Sequence, residues 1–356
     1  MKQQRITRLV ALVAMLLCGP QLTHAAGNAI ENDWAAIEHC LGIIRRCQMG
    51  DGMIRMKGDG GPVWTVPYFS NFAAIALLAA NDVRQNRQDV GRAKRWLIWY
   101  ARHQEADGTI YDREGTTQSY KSNGKRDATD SYAATFLMAT WRYQQAVKQR
   151  PSPEIISAAR KSFAAIDAVV QNDGLTIAKP DYAIKYLMDN IEVYQGLMEG
   201  ALFFDSVGME KESRKARKMA ARIAESLGKY WSEQDQHFGF AIDMKDKLSS
   251  GLSQSYPHGL TQLFALSYIR PPRPKLWTKV NQTFTPNDKG VPIERWLIAA
   301  IRHAGPKELN DLRRATRKAA LGFSTKDVYV ERPAMAVIAL LDGKARFADV
   351  PTFIKK

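Results

Sequence analysis

Pairs of helical segments recur along this chain at intervals of roughly 50–65 residues over most of its length and shorter ones at its end, the spacing of stacked supersecondary repeats. In each pair a charged, amphipathic segment comes first and a more apolar one second. The first three pairs are Asn32 to Met49 with Phe72 to Ala80, Asp89 to Gln104 with Ser131 to Val147, and Pro153 to Val170 with Asn190 to Ser206. The last three are Lys211 to Trp231 with His258 to Tyr268, Lys275 to Phe284 with Ile293 to His303, and Lys307 to Leu321 with Arg332 to Leu341. Gly-containing turns punctuate them at Asp51-Gly52, Asp107-Gly108, Asp173-Gly174, His237-Phe238-Gly239 and Lys289-Gly290. Glycine accepts positive φ without steric cost, so it ends a helix and reverses the chain.

A helix that is apolar on most sides belongs inside, and one with a single apolar stripe belongs on the outside. Ala73 to Ala80 and Ala133 to Thr140 carry almost no charge, whereas Arg214, Lys215, Arg217 and Lys218 crowd a first-of-pair segment. The pattern predicts an all-α fold, an (α/α)6 toroid: six inner helices ringed by six outer ones. A composition of 45% hydrophobic and 24% charged residues excludes a disordered chain and a coiled-coil rod.

The first 25 residues read as a secretory signal peptide. Lys2, Arg5 and Arg8 precede an apolar run from Leu9 to Gly19, and Thr23-His24-Ala25-Ala26 is a small-residue cleavage site. The run is too short to span a bilayer, which takes about 20 residues. We therefore expect a periplasmic or secreted protein with no stable membrane anchor, and a single catalytic domain over 26–356. Cleavage removes three basic and no acidic residues from a chain of net charge +15, leaving +12. Such a balance favours anionic company, an acidic glycan among the candidates. No nucleic-acid motif accompanies the basic residues, so no nucleic-acid partner is expected. No phosphate loop, nucleotide fingerprint or Cys/His metal spacing appears, and no cofactor or metal is expected. Cys40 and Cys47 fall in one predicted helix about 10 Å apart, beyond the roughly 7 Å reach of a disulfide.

Six helical hairpins with Asp-Gly turns, and inner helices that begin at polar residues, resemble the six-hairpin (α/α)6-toroid glycosidase superfamily. The resemblance is architectural and covers nearly the whole mature chain. The same toroid also serves polysaccharide lyases, sugar epimerases and terpenoid cyclases. It implies a cleft at the mouth where the inner helices start. Mouth positions are then Ser70-Asn71, Asp127 and Asp130, Asp189 and Glu192, Tyr256 and His258, Glu294, and Glu331-Arg332.

Two segments concentrate carboxylates and aromatics there: Asp127 to Tyr132, and Tyr186 to Tyr194. Glycoside hydrolysis needs two carboxyl groups flanking the bond, one of them an acid of raised pKa. Asp130 and Asp189, on successive inner helices, are the candidate catalytic pair, and a wide mouth favours inversion. The second segment is also similar to unsaturated glucuronyl and rhamnogalacturonyl hydrolases. That similarity implies an acid/base role for Asp189 and an assisting role for Asp130. Asp127, three residues before Asp130, reads as a helix cap, and Glu192 as a supporting hydrogen-bond partner.

Candidate sugar contacts are Trp64, Tyr68, Asn71, Tyr132, Tyr186, Asn190, Glu192, Tyr256, His258 and Arg332. Aromatic rings stack on the apolar C–H faces of sugars while polar groups meet the hydroxyls. The loop Gly58 to Trp64 would carry its tryptophan to the cleft. The expected function is hydrolysis of a polysaccharide or oligosaccharide by carboxylate acid/base chemistry. Two alternatives stand beside it. Tyr256, His258 and a cation at Arg332 would suit a lyase that takes the C5 proton of a uronate. The chain could otherwise be a non-catalytic glycan-binding component of a cell-surface assembly.

Overall fold

The computed structural model describes residues 31–58, 62–286, 291–341 and 347–351. The segment read as a signal peptide, the Lys289-Gly290 turn and residues 59–61 of the Gly58 to Trp64 loop lie outside these residues.

The twelve helices among the described residues fall into the expected pairs. The outer members are α1 (31–47), α3 (Arg87–His103), α5 (Pro153–Val169), α7 (Glu210–Ser226), α9 (Pro274–Thr283) and α11 (Pro306–Leu321). The inner members are α2 (Pro67–Val83), α4 (Asp130–Val147), α6 (Leu187–Ser206), α8 (Leu260–Tyr268), α10 (Ile293–His303) and α12 (Glu331–Leu340). Each inner helix packs on the next in chain order, and α12 packs back on α2. The ring is therefore closed: an (α/α)6 toroid.

Burial follows the patterning. Phe72 to Ala80 of α2 and Asp130 to Thr140 of α4 are buried without interruption. Outer helix α7 buries Ser213, Ala216, Met219, Ala220 and Ile223, a single stripe at three- and four-residue spacing. Cys40 and Cys47 are buried thiols on the inner face of α1 and form no disulfide. Inner helices α4 and α6 approach so closely at Gly196 that a Cβ there would sit 2.6 Å from the Ala134 backbone.

The three Asp-Gly turns are copies of one device. In each, the aspartate accepts from the backbone N–H two residues on: Met53 to Asp51 at 3.1 Å, Thr109 to Asp107 at 2.9 Å, Leu175 to Asp173 at 3.2 Å. The glycine takes positive φ and lies against the next outer helix, Gly52 on Arg95, Gly108 on Lys161 and Gly174 on Arg222. The repeat read from the sequence is thus a repeat of contacts that joins each hairpin to its successor.

The ring closes where the last hairpin meets the first. Buried Asp33 of α1 pairs with Arg313 and, at 3.3 Å, with Arg317 of α11. Arg313 also donates to the Leu340 carbonyl at 2.9 Å. The loops ahead of α2 and α12 are joined by Val330 N–H to the Met56 carbonyl at 2.8 Å. Short antiparallel strands brace the mouth, with Val63–Thr65 beside Arg113–Gly115 and Lys185–Tyr186 beside Ala241–Ile242.

Candidate active site

A cavity of about 680 Å³ opens where the inner helices begin. That is the size of a small-ligand pocket. Its walls come from the starts of inner helices and the loops before them: Tyr68 and Phe69 from α2, Ser131 and Tyr132 from α4, Asp189 from α6, Leu260 and Phe264 from α8, Arg295 from α10 and Glu331 from α12. Asp127, Lys179, Tyr182, Tyr186, Phe240 and Tyr256 come from the loops. All six hairpins contribute. The reason is topological: in a closed ring of alternating helices, every inner helix starts at the same end.

Asp189 sits in the first turn of α6, half-buried on the cavity wall. Burial, and then the charge of Asp127, push its carboxyl up to about 7. Asp127 is exposed at the same cavity. A carboxyl that keeps its proton near neutrality beside a second carboxylate is the arrangement that acid/base chemistry requires. Asp130 lies behind the wall, fully buried. One carboxylate oxygen accepts from the Ser131 N–H at 2.7 Å and the other from the Thr176 hydroxyl at 2.6 Å. Burial, and then the charge of Asp189, raise it well above the usual carboxylate range. Asp130 and Asp189 are therefore electrostatic neighbours, but only Asp189 lines the cavity.

Two tyrosines form one wall. The rings of Tyr68 and Tyr132 stack at 5.9 Å. Each hydroxyl is anchored to a buried carboxyl behind it, Tyr68 to Glu192 at 2.6 Å and Tyr132 to Asp112 at 3.1 Å. Burial is the main cause that pushes Glu192 up to about 8 and Asp112 up to about 7. Arg295 is buried beside this wall, 3.3 Å from Glu331 and over the Phe264 ring at 4.6 Å. Among the described residues, no group of three or more His, Cys, Asp and Glu side chains is arranged to hold a metal ion.

Of the residues singled out in the sequence, Asp127, Asp189, Glu331, Tyr68, Tyr132, Tyr186 and Tyr256 line the cavity. The others lie elsewhere, each for a visible reason. Asn71 is buried and ties three helices, donating to Thr135 at 2.9 Å and accepting from the Trp96 indole at 2.9 Å. Asn190 clamps the preceding loop through Thr176 and the Tyr186 carbonyl. Glu192 stands behind Tyr68. His258 packs on Phe240 at 5.1 Å, and its Nδ1 is buried without a partner. Trp64 meets Tyr329 edge-on at 5.5 Å, outside the cavity lining. Arg332 turns away to pair with buried Glu294 at 3.1 Å. Asp127 is not a cap: α4 starts at Asp130 after Thr129, and Asp127 lies ahead of the helix, facing the cavity. Sequence reading missed Arg295, Lys179 and Asp112. Arg295 had a signal, since it adjoins Glu294 at the start of a greasy helix. Asp112 had none, because its partner Tyr132 is twenty residues away across a loop.

Comparison with known proteins places the fold. No family model and no curated protein sequence matches the chain. Among solved structures, a novel alpha-amylase from Clostridium perfringens superposes over 86% of this chain and 97% of its own, with a TM-score of 0.57 and 9% identity. A glycosidase variant in complex with glucose covers 90% of this chain and 98% of its own, with a TM-score of 0.59 and 10% identity. A rhamnosidase from Klebsiella oxytoca with rhamnose bound covers 87% of this chain and 64% of its own, with a TM-score of 0.56 and 12% identity. The chain has the toroid fold found in the six-hairpin glycosidase superfamily.

Proposed function

We propose that this chain is an exported glycoside hydrolase that cleaves a polysaccharide or oligosaccharide in the cavity at the inner-helix N-termini. One observation carries the reading: Asp189 is a half-buried acid, raised to about 7, on the wall of a cavity that also exposes Asp127. The solved structures of similar fold, described as an amylase, a glycosidase with glucose and a rhamnosidase, support a carbohydrate substrate.

In this reading Asp189 donates its proton to the glycosidic oxygen as the bond breaks. Asp127 is the second carboxylate, placed to activate water in an inverting reaction. Asp130 acts as a positioning residue behind Asp189, holding the Ser131 N–H and the Thr176 hydroxyl at the start of the neighbouring inner helix. Tyr68 and Tyr132 offer ring faces to the sugar, and Arg295 and Lys179 offer positive charge to its oxygens. Export follows from the n-region of Lys2, Arg5 and Arg8, with cleavage near Ala25. N-terminal sequencing of the protein from the periplasmic fraction tests that part.

A second reading has its own support. Arg295, beside Tyr68 and in one cavity with Tyr256, would suit a uronate carboxylate in a lyase or an unsaturated uronyl hydrolase. One experiment decides among the readings. Neutral and uronate-containing polysaccharides are incubated with the wild type and with Asp189→Asn, then read by ultraviolet absorbance and mass spectrometry. Saturated products that Asp189→Asn fails to make support the hydrolase. New ultraviolet absorbance supports the lyase, and loss of absorbance from unsaturated oligosaccharides supports the uronyl hydrolase. A glycan that binds without being cut leaves only a binding role.

A further inference from the structure

Three large aromatic rings among the described residues are exposed: Tyr182 at 47%, Tyr256 at 60% and Tyr329 at 46%. All three belong to segments that lead into inner helices at the cavity end. Tyr182 stands ahead of α6, Tyr256 ahead of α8, and Tyr329 two residues ahead of α12. The inner helices touch in the cyclic order α2, α4, α6, α8, α10, α12. In a six-membered ring, the junction of α6 with α8 lies opposite the junction of α12 with α2. Tyr182 and Tyr256 flank the first junction, and Tyr329 with Trp64 flanks the second. For packed helices spaced 8–10 Å apart, opposite junctions are roughly 14–17 Å apart, a span of several sugar rings.

The Trp64–Tyr329 pair is held as a unit. The rings meet at 5.5 Å and 89°, and the Lys57 ammonium lies 5.1 Å from the Tyr329 ring centroid. Trp64 is fixed in the strand pairing with Glu114, and Val330, next to Tyr329, donates to the Met56 carbonyl. An apolar ring left half in water on a braced support is poised for a partner with an apolar face.

We infer that Trp64 and Tyr329 form a distal subsite, so that a linear polysaccharide lies across a diameter of the mouth from Tyr182 and Tyr256, over Asp189, to Tyr329. This rests on the carbohydrate reading above and adds to it that the chain is bound on both sides of the cavity and is cut internally. Monosaccharide units at one end alone would leave Tyr329 without a role.

The test uses the full protein and Tyr329→Ala, with Trp64→Ala and Tyr329→Phe beside it, all checked for unchanged melting. Affinity electrophoresis is run in gels holding polygalacturonate, alginate, xylan or mixed-linkage β-glucan. At least one polymer should retard the wild type, and Tyr329→Ala should weaken that binding about tenfold. Tyr329→Phe, which keeps the ring, should bind as wild type. In digests, Tyr329→Ala should lose activity on the polymer and keep it on the shortest cleavable oligosaccharide. Retardation untouched by Tyr329→Ala, or no retardation by any of the four polymers, overturns the subsite. Polymer held through Tyr329 but never cut keeps the subsite and removes the hydrolase. Polymer cut equally well by Tyr329→Ala keeps the hydrolase and removes the subsite.

Discussion

The Tyr68 hydroxyl donates to the Glu192 carboxyl at 2.6 Å, joining a cavity-wall ring to an acid that is 2% exposed. Burial and the charge of Asp189 push Glu192 up to about 8, while Tyr68 and Arg295 pull against them. Its folded pKa thus exceeds the unfolded value of about 4.3. The contribution of Glu192 to stability is then complete below about pH 4.3 and is lost as the pH rises through about 8. Glu192→Gln removes the titration and keeps an acceptor for Tyr68. It should raise stability relative to wild type at about pH 8.5, by on the order of 1–3 kcal/mol, and much less at about pH 4.5. Denaturant melts at the two pH values check this, and an equal difference at both would show that Glu192 does not titrate in that window.

Asp189 predicts the shape of the pH–rate profile. An acid raised to about 7 is protonated below that pH and spent above it. The value of kcat/KM should fall on the alkaline side with a midpoint near pH 7, since that profile reports the free enzyme. Asp189→Asn should lower kcat by about 10²–10⁴ while circular dichroism is unchanged. A profile flat from about pH 6 to 9 would remove Asp189 as the acid.

Asp127 and Asp130 should fail in different ways. Asp127 is exposed at the cavity and Asp130 is fully enclosed. Asp127→Ala should depress turnover and leave the stability within about 0.5 kcal/mol of wild type. Asp130→Ala removes the acceptor of the Ser131 N–H and leaves the Thr176 hydroxyl only the longer 3.3 Å contact to Asn190, and should cost about 1–3 kcal/mol of stability. Turnover and thermal melts on the same two preparations make the comparison.

The Asp-Gly turns give a stability prediction remote from the cavity. Gly108 has φ +88°, and a Cβ there would lie 2.2 Å from the Lys161 carbonyl oxygen. Gly108→Ala should destabilise by about 1–3 kcal/mol or more. Gly50, with open space around it and no positive φ, serves as the control. Gly50→Ala should stay within about 0.5 kcal/mol of wild type. Urea titration of both measures the contrast, and equal midpoints would mean that the turn is not a structural joint.

The paired helices and their inner or outer place were legible in the residues because periodicity and burial are local properties. A greasy stretch such as Ala133 to Thr140 has no stable place but the inner ring, and Arg214 to Lys218 none but the outer. The mouth was legible for the same reason, since alternation puts all inner-helix starts at one end. Asp189 reaches the cavity wall on that basis. In the sequence Asn71 and Asn190 fit a sugar contact, because a polar residue at a helix start satisfies the same description. In the fold they satisfy buried backbone and side-chain groups instead.

The residues themselves determined six hairpins, a closed ring and a carboxylate-rich mouth. Tertiary structure alone decided which carboxylates and cations reach the hollow. Glu294 and Arg295 are neighbours, as are Glu331 and Arg332. Arg295 and Glu331 line the cavity, while Glu294 and Arg332 pair with each other and are absent from its wall. Consecutive side chains on a helix point about 100° apart. The rotation of each helix in the ring, set by packing against its neighbours, therefore selects one member of each pair.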